Sequence, residues 1–214
     1  MTAALTCLQP DMENIQDIFK HRGSLFLTVE GTDGSGKSTQ AELLKKKLEP
    51  YGETILVQEP GTTELGTQLR RMLLRLDGPM QACHVAELML FLTARVQLMH
   101  EIIYPALNRG AHVICDRGIG STIAYQCCGT SVSYSLTSAV LKALENHLWR
   151  DATHSFTRRM IVVCDVPTEV AKSRMQGKKL DHWESQDDGF KARVRHAFRN
   201  LHDLLPEHHV VHVD

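Results

Sequence analysis

The chain has 214 residues, and its 24 lysines and arginines nearly balance its 25 aspartates and glutamates. A formal net charge of −1 provides no general attraction to nucleic acid or to an anionic membrane, so we expect neither as a partner. The six cysteines have no framework spacing and no apolar run reaches the length of a bilayer, which indicates a reduced, cytoplasmic protein. The length suits one α/β domain at residues 24–214, after a weakly ordered extension at residues 1–23.

Five short apolar runs alternate with amphipathic helical patterns along this domain. The runs predict buried strands at residues 25–30, 55–58, 112–115, 160–165 and 209–213. Strands that alternate with helices predict a three-layer, doubly wound α/β fold with a five-stranded parallel sheet. Ligands of such sheets bind at the carboxyl ends of the strands, so polar motifs that follow the strands are candidate ligand sites.

The first predicted strand leads into Gly-Thr-Asp-Gly-Ser-Gly-Lys-Ser at residues 31–38, which has the spacing of a phosphate-binding loop. Its glycines let backbone N–H groups point at phosphate oxygens, Lys37 can reach the β- and γ-phosphates, and Ser38 can bind Mg²⁺. The N-terminus of the helix predicted after the loop adds partial positive charge. The sequence therefore predicts ATP and Mg²⁺ as cofactors. The expected nucleotide contacts are Gly31, Thr32, Asp33, Gly34, Ser35, Gly36, Lys37, Ser38 and Thr39.

A long helical pattern at residues 80–108 carries a continuous apolar stripe that includes Val85 and Met89. The stripe is longer than one small sheet needs, which favours a homodimer, although a core helix explains it equally well. On this helix Phe91 and Arg95 are four residues apart and share a face. A ring beside a guanidinium suits a nucleobase, through stacking and an edge contact, whereas Phe91 alone would indicate core packing.

Polar motifs also follow three of the other predicted strands. The second strand is followed by Glu59, Pro60 and Arg70. The third is followed by Asp116, Arg117, Ser121, Thr122, Tyr125 and Gln126. The fourth is followed by a basic run that contains Lys172, Arg174, Lys178 and Lys179. This run is either a lid over the nucleotide, at about residues 172–186, or a solvated helix face.

Four stretches of the chain, in the same order, resemble the signatures of thymidylate kinases, a family of P-loop nucleoside-monophosphate kinases. They are residues 26–39, 59–61, 91–97 and 116–126, within a resemblance that spans about residues 24–213. It implies an enzyme that moves the γ-phosphoryl group of ATP to dTMP, giving dTDP and ADP for dTTP supply. It also implies small-molecule nucleotides as partners and a short helical lid.

The resemblance assigns roles in the acceptor site. Phe91 is expected to stack on thymine, and Arg95 to bond its O4 edge. Tyr125 is expected to press against the 2′ carbon of deoxyribose. The other residues expected to contact the acceptor base or to line its site are Glu59, Pro60, Ser121, Thr122 and Gln126.

The resemblance also assigns the phosphate and metal contacts. Arg70 and Arg117 are expected to hold the acceptor phosphate, and Asp33 to meet the 3′-hydroxyl or the metal. A monophosphate is already ionised at neutral pH, so the reaction needs positive charge rather than a strong base. The expected metal ligands are Ser38 and Asp116. The expected catalytic residues are Lys37, Arg117, Arg174 and Asp33.

Two departures from the family pattern affect the expected site. Asp181-His182 stands where an Asp-Arg pair is usual, so we expect Arg174, the guanidinium of the basic run, to supply the lid cation. Cys127-Cys128-Gly129 replaces the usual glycine-rich segment after Gln126, which alters the rim of the acceptor pocket.

Three other functions stay open on the sequence. A deoxynucleoside kinase would need Glu59 as a general base for a neutral hydroxyl acceptor. A kinase for another or a modified deoxynucleotide would carry nearly the same motifs. A regulatory protein that binds nucleotide without turnover would keep the loop alone. The surplus arginines favour an acceptor that carries phosphate.

Overall fold

The computed structural model describes residues 23–149 and 157–213 of the chain. The predicted extension at residues 1–23 therefore lies, apart from Gly23, outside the described residues. None of the helices in the described part combines the length and the apolar character that crossing a bilayer requires.

Five parallel strands form one sheet in the order β2-β3-β1-β4-β5. The strands are β1 (Leu25–Gly31), β2 (Thr54–Gln58), β3 (His112–Asp116), β4 (Arg158–Cys164) and β5 (Val210–Val213). Each predicted strand is confirmed to within two residues at either end. The doubly wound fold class is confirmed as well, because β1 is the central strand. The sheet continues from it through β3 to β2 on one side and through β4 to β5 on the other.

Helices connect the strands. They are α1 (Lys37–Leu48), α2 (Glu64–Leu73), α3 (His84–Leu98), α4 (Tyr104–Asn108), α5 (Ile119–Ser121), α6 (Tyr134–Leu148), α7 (Thr168–Met175), α8 (Asp188–Arg199) and α9 (Leu201–Leu204). A π-helical turn at Met99–Ile103 joins α3 to α4, and α5 continues into a π-helical segment at Thr122–Gly129. The long helix predicted from the apolar stripe therefore exists, with a wide turn in its C-terminal half.

The start of this helix was predicted four residues too early. It begins at His84, because Cys83 is its N-cap and has extended backbone angles. The predicted apolar stripe also divides by burial. Leu92 belongs to the core, whereas Val85 and Met89 are exposed. The stripe therefore contains both core positions and exposed positions, and the homodimer stays a prediction.

Side chains alternate across the sheet and fill two cores. Leu27 and Val29 of β1 pack with Ala41 of α1 on one face. Phe26 points to the opposite face, where it packs among residues of the long helix such as Leu98. Because both faces are covered, the carboxyl-end edge of the sheet is where its loops can form a cleft.

Candidate active site

A cleft of about 370 Å³ opens at the carboxyl ends of β1, β2 and β3. It is lined by the loop after β1 and the start of α1, by the segments after β2 and β3, by α2 and α3, and by the end of α7 with the segment after it. All of the predicted site residues line it except Gly31, Thr32, Ser35 and Arg95.

The phosphate-binding loop, residues 31–38, adopts a conformation that depends on glycine. Gly31 and Gly34 have φ angles of 144° and 79°. A Cβ atom on Gly31 would lie 2.4 Å from the carbonyl oxygen of Cys164, and one on Gly34 would lie 2.5 Å from that of Ala171. The loop is thus packed tightly between the end of β4 and α7. The N-terminus of α1 begins at Lys37, directly after it, where partial positive charge favours an anion.

Asp33 brings two cations together beside this loop. The Lys37 Nζ atom lies 3.3 Å from Asp33 Oδ1, and Arg117 Nη2 bonds the same oxygen. The Tyr125 hydroxyl donates to Asp33 Oδ2 over 2.8 Å. Burial alone would raise the pKa of Asp33, but the charges of Arg117 and Lys37 and the Tyr125 hydrogen bond lower that pKa below its ordinary value. Asp33 is therefore an anion that holds both cations at the cleft.

The guanidinium of Arg117 is oriented from several sides. Its Nη1 atom donates to the carbonyl oxygen of Gly31 at 3.3 Å and to Ser121 Oγ at 3.2 Å. Ser121 in turn donates to Glu30 Oε2 over 2.6 Å. The guanidinium also lies 5.1 Å from the centre of the Tyr125 ring. These contacts fix a cation between the phosphate-binding loop and the segment after β3.

Ser38 and Asp116 meet where α1 begins and β3 ends. The hydroxyl of Ser38 donates to Asp116 Oδ2 over 2.5 Å. The second carboxylate oxygen, Oδ1, is buried and has no hydrogen-bond partner among the described residues. A hydroxyl and a carboxylate are the oxygen ligands that Mg²⁺ prefers, so the donor set fits the predicted metal.

A buried ion pair supports the opposite end of the cleft. Arg95 donates from Nε to Glu59 Oε1 over 2.7 Å, and its Nη2 atom donates to Thr122 Oγ1 over 3.1 Å. Burial alone would lower the pKa of Arg95, but Glu59 raises it above its ordinary value. The remaining Nη1 atom is buried and unpartnered among the described residues. Arg95 thus keeps its charge and one free donor group.

Phe91 and Gln126 belong to the wall at this end of the cleft. Phe91 is partly buried and packs with its ring 6.0 Å from that of Trp183, in an edge-to-face arrangement. It also packs against two core clusters, so core packing and exposure to a ligand occur together at this residue. Gln126 is 3% exposed. The wall therefore offers an aromatic surface and an amide.

Arg70 reaches the cleft from α2. Its Nη1 atom donates to the carbonyl oxygen of Pro60 over 2.9 Å, next to the cis peptide bond between Glu59 and Pro60. Burial lowers the pKa of Arg70, and the nearby charge of Arg117 lowers it further. Two guanidinium groups that repel each other across one cleft would be stabilised by an anion between them.

The basic run after β4 has members in different environments. Arg174 Nη1 donates to the carbonyl oxygens of Gly34 and Ser35, at 3.2 and 3.3 Å, so it lies over the phosphate-binding loop. Lys178 also lines the cleft. Lys172 instead pairs with Asp188 and its side chain is 51% exposed. The run is thus partly a cleft wall and partly a solvated face, and its helix ends at Met175.

The sequence interpretation missed several residues of the cleft. They are Gln58, Leu74, Gly118, Met175, Trp183 and Glu184. Trp183 is 6% exposed and its Nε1 atom donates to the carbonyl oxygen of Leu73 over 3.2 Å. A tryptophan within the polar sequence Lys-Leu-Asp-His-Trp-Glu-Ser is the one signal that could have indicated a buried anchor there.

Known proteins show the same family across nearly the whole described chain. The sequence model of the thymidylate kinase family matches residues 29–213. A thymidylate kinase from Exiguobacterium sp. is 41% identical over 192 residues, which cover 89% of this chain and 86% of that protein. One from Exiguobacterium sibiricum is 36% identical and covers 85% and 82%, respectively.

Solved structures agree with this relationship. The crystal structure of thymidylate kinase from Ehrlichia chaffeensis superimposes with a TM-score of 0.64 at 32% sequence identity. The match covers 89% of this chain and 91% of that one. With the phosphate-binding loop and the wall of Phe91 and Gln126 in one cleft, these matches show that the chain belongs to the thymidylate kinase family, the ATP-dependent kinases of dTMP.

Proposed function

We propose that this cleft transfers the γ-phosphoryl group of ATP to the phosphate of dTMP, giving ADP and dTDP. One observation carries the assignment of its two ends: the phosphate-binding loop and the wall of Phe91 and Gln126 belong to a single cleft, with Arg117 between them. ATP would bind at the loop and dTMP at the wall, so that donor and acceptor phosphates meet near Arg117.

At the donor end, Lys37 and Arg174 would stabilise the negative charge on the transferring phosphoryl group. Lys37 approaches from the start of α1, and Arg174 lies over the carbonyl oxygens of Gly34 and Ser35. Phosphoryl transfer depends on positioning and on such charge stabilisation more than on covalent chemistry. The dTMP phosphate is already ionised, so the cleft needs no strong general base.

Ser38 and Asp116 would hold Mg²⁺. No group of three or more histidine, cysteine, aspartate or glutamate side chains that could hold a metal occurs in residues 23–149 and 157–213. The ion would therefore take most of its ligands from ATP phosphates and water, as magnesium sites in kinases do. When bound, Mg²⁺ neutralises charge on the β- and γ-phosphates.

At the acceptor end, Phe91 would stack on thymine, and Arg95, Thr122 and Gln126 would select its edge. The unpartnered Nη1 atom of Arg95 supports this role, because a buried donor is costly until a carbonyl oxygen pairs with it. Arg70 and Arg117 would bind the acceptor phosphate. Tyr125, held by its bond to Asp33, would lie against the deoxyribose.

The environment of Glu59 disfavours the deoxynucleoside kinase alternative. That reaction needs Glu59 as a free base, but both Nε and Nη2 of Arg95 lie within 2.7 Å of its Oε1 atom. A neutral acceptor would also leave no anion between Arg70 and Arg117, where burial and the charge of Arg117 lower the pKa of Arg70. The intact pairs of Lys37 with Asp33 and of Ser38 with Asp116 disfavour a protein that binds nucleotide without turnover.

A homodimer in the cytoplasm is the setting that we propose for this activity. Exposed apolar side chains of α2, α3 and the turn after α2 form one candidate interface, and they are Leu65, Met72, Leu76, Val85 and Met89. The cysteines of the described part are free thiols. Met89→Glu should shift sedimentation toward the monomer, whereas Glu42→Gln on exposed α1 should not.

The proposed reaction is tested by coupled ADP release with ATP and Mg²⁺. The acceptors are dTMP, dUMP, dCMP, dGMP, ribo-TMP and thymidine. We expect dTMP to be turned over at about 1–100 s⁻¹, with the other acceptors slower. Faster phosphorylation of thymidine than of dTMP would establish the deoxynucleoside kinase alternative, and turnover of none would leave a binding protein.

A further inference from the structure

Residues 181–184 form a self-supporting turn in the lid, residues 172–186. Asp181 Oδ1 accepts from the backbone N–H groups of Trp183 and Glu184, at 2.8 and 2.9 Å. Glu184 Oε2 accepts in return from the N–H of Asp181 at 3.0 Å. Reciprocal hydrogen bonds of this kind fix a turn, so Trp183 is presented by a rigid support.

Hydrogen bonds of Trp183 and its neighbour His182 attach this turn to the acceptor side of the cleft. The Nε1 atom of Trp183 donates to the carbonyl oxygen of Leu73, and the N–H of His182 donates to that of Leu74 over 3.3 Å. These are carbonyl groups at the C-terminus of α2, which cannot be satisfied within the helix. Since α2 also carries Arg70, the lid is bonded to the helix that would hold the acceptor phosphate.

The ring of Trp183 touches the acceptor site directly. It lies 6.0 Å from the ring of Phe91 and 6.4 Å from that of Tyr125, both edge to face. The ring of Phe190 in α8 also lies 5.9 Å from that of Trp183. Nine residues earlier in the chain, the same lid places Arg174 over the phosphate-binding loop. One short segment therefore contacts the donor and acceptor ends.

We propose that Trp183 is a positioning residue that couples occupation of the acceptor site to docking of the lid over ATP. The inference rests on the proposed function, because it takes Phe91 and Arg70 as dTMP contacts. An acceptor that fixes Phe91 and α2 also fixes the surface on which Trp183 packs. Docking of Trp183 then holds Arg174 at the donor phosphates. By linkage, ATP and dTMP must strengthen each other's binding by the same factor.

A fluorescence experiment uses Trp183 itself as the reporter. The chain contains two tryptophans, Trp149 and Trp183, so Trp149→Phe leaves a single one. In that variant, dTMP without ATP should change the emission and saturate at the dissociation constant measured by calorimetry. In Trp183→Phe, the remaining Trp149 packs on Phe26 and does not line the cleft, so dTMP should change its emission much less than that of Trp183.

A binding experiment measures the coupling. The dissociation constant of the non-hydrolysable analogue AMP-PNP, with Mg²⁺, is determined by calorimetry with and without saturating dTMP. For the wild type and for Trp149→Phe we expect dTMP to tighten the analogue by about 5- to 50-fold. In Trp183→Leu the factor should fall to about 1, with the affinity for the analogue alone changed by less than about threefold. Trp183→Phe keeps ring contacts and loses the bond to Leu73, so its factor should be intermediate.

Three outcomes overturn the proposal. They are a flat emission of Trp183 with dTMP at saturation, a wild-type coupling factor in Trp183→Leu, and equal losses in Trp149→Phe. If Trp183→Leu does not fold, Trp183→Phe and the native Trp183 reporter decide the question. Wild-type turnover of dTMP is measured first. Its absence contradicts the proposed function, whereas normal turnover with unchanged coupling contradicts only the role of Trp183.

Discussion

The donor and acceptor ends of the cleft are built in different ways. The donor end uses consecutive residues, 31–38, with Asp116 and Arg117 added from the neighbouring strand and Arg174 added from α7. The acceptor end gathers side chains from the segment after β2, from α2, α3 and the π-helical segment, and from the lid. Short-range geometry therefore fixes most of the donor end, and the packing of distant elements fixes the acceptor end.

Their charges differ as well. At the donor end Lys37 and Arg117 share the carboxylate of Asp33. Asp116 is left to the metal, and Arg174 bonds backbone carbonyl oxygens, which leaves positive charge for the phosphates. At the acceptor end the charge of Arg95 is matched by Glu59 within a buried pair. We therefore expect substitutions at the donor end to change the rate of phosphoryl transfer, and substitutions at the acceptor end to change the choice of base.

The largest effect should follow Lys37→Ala. Removing this cation should lower kcat by at least about 10³-fold, because Lys37 is the one cationic side chain of residues 31–39. Thermal stability should change little, since Asp33 keeps Arg117 as a partner. Steady-state kinetics with dTMP and a melting curve measure both. Lys46→Ala, at an exposed lysine of α1, is the matched control, and near-normal turnover of Lys37→Ala would remove the donor end from catalysis.

Arg174→Ala should have the next largest effect. We expect kcat to fall by about 10²- to 10³-fold with a smaller change in nucleotide affinity, because the contact matters most as charge develops. Lys172→Ala, an exposed member of the same basic run, should stay near wild type. His182→Arg should be tolerated. If Arg174→Ala is active and His182→Ala is inactive, His182 supplies the lid cation instead.

The donor end could be predicted from the sequence because its geometry is local. The spacing of residues 31–38 is itself the three-dimensional motif, and a strand before it and a helix after it follow from periodicity. The contact between Ser38 and Asp116 spans 78 residues, but Asp116 directly follows one predicted strand and Ser38 ends the loop that follows another. Adjacent parallel strands bring such residues together, and β1 and β3 are adjacent.

The acceptor end could be predicted only as a set of residues. Phe91 and Arg95 were found from their helical spacing, but nothing in the sequence pairs Arg95 with Glu59, 36 residues away. The bond between Trp183 and Leu73 spans 110 residues and depends on how the lid packs. Such contacts are set by tertiary packing, which produces no periodic pattern in the amino-acid sequence. The same reason explains why the exposed and buried parts of the stripe on α3 were not separated.

Arg95→Ala tests the acceptor end. We expect a loss of about 2–4 kcal/mol in kcat/KM with dTMP, because a base carbonyl would lose its donor in a desolvated site. The loss should be smaller for nucleotides with other bases. Stability should fall too, since Glu59 stays buried without its cation. Arg75→Ala, which removes a partly exposed guanidinium bonded to Glu87, controls for the loss of a buried partner. Equal losses across the acceptor panel would assign Arg95 to phosphate binding or to structure.

The smallest effect concerns how pH acts on the donor end. Because the pKa of Asp33 is lowered in the folded state, the unfolded chain binds its proton more readily. The stabilisation by Asp33 is therefore present at neutral pH and is lost as pH falls through the acid range, between about pH 5 and pH 2. Asp33→Asn should remove about 1–2 kcal/mol of stability at pH 7 and flatten the acid dependence of the melting temperature. Burial raises the pKa of neighbouring Glu30, so the contribution of Glu30 to stability declines as pH rises. Glu30→Gln should therefore remove a pH dependence of stability that is opposite in sign to that of Asp33. Identical acid profiles of Asp33→Asn and the wild type would show that Asp33 does not balance the two donor-end cations.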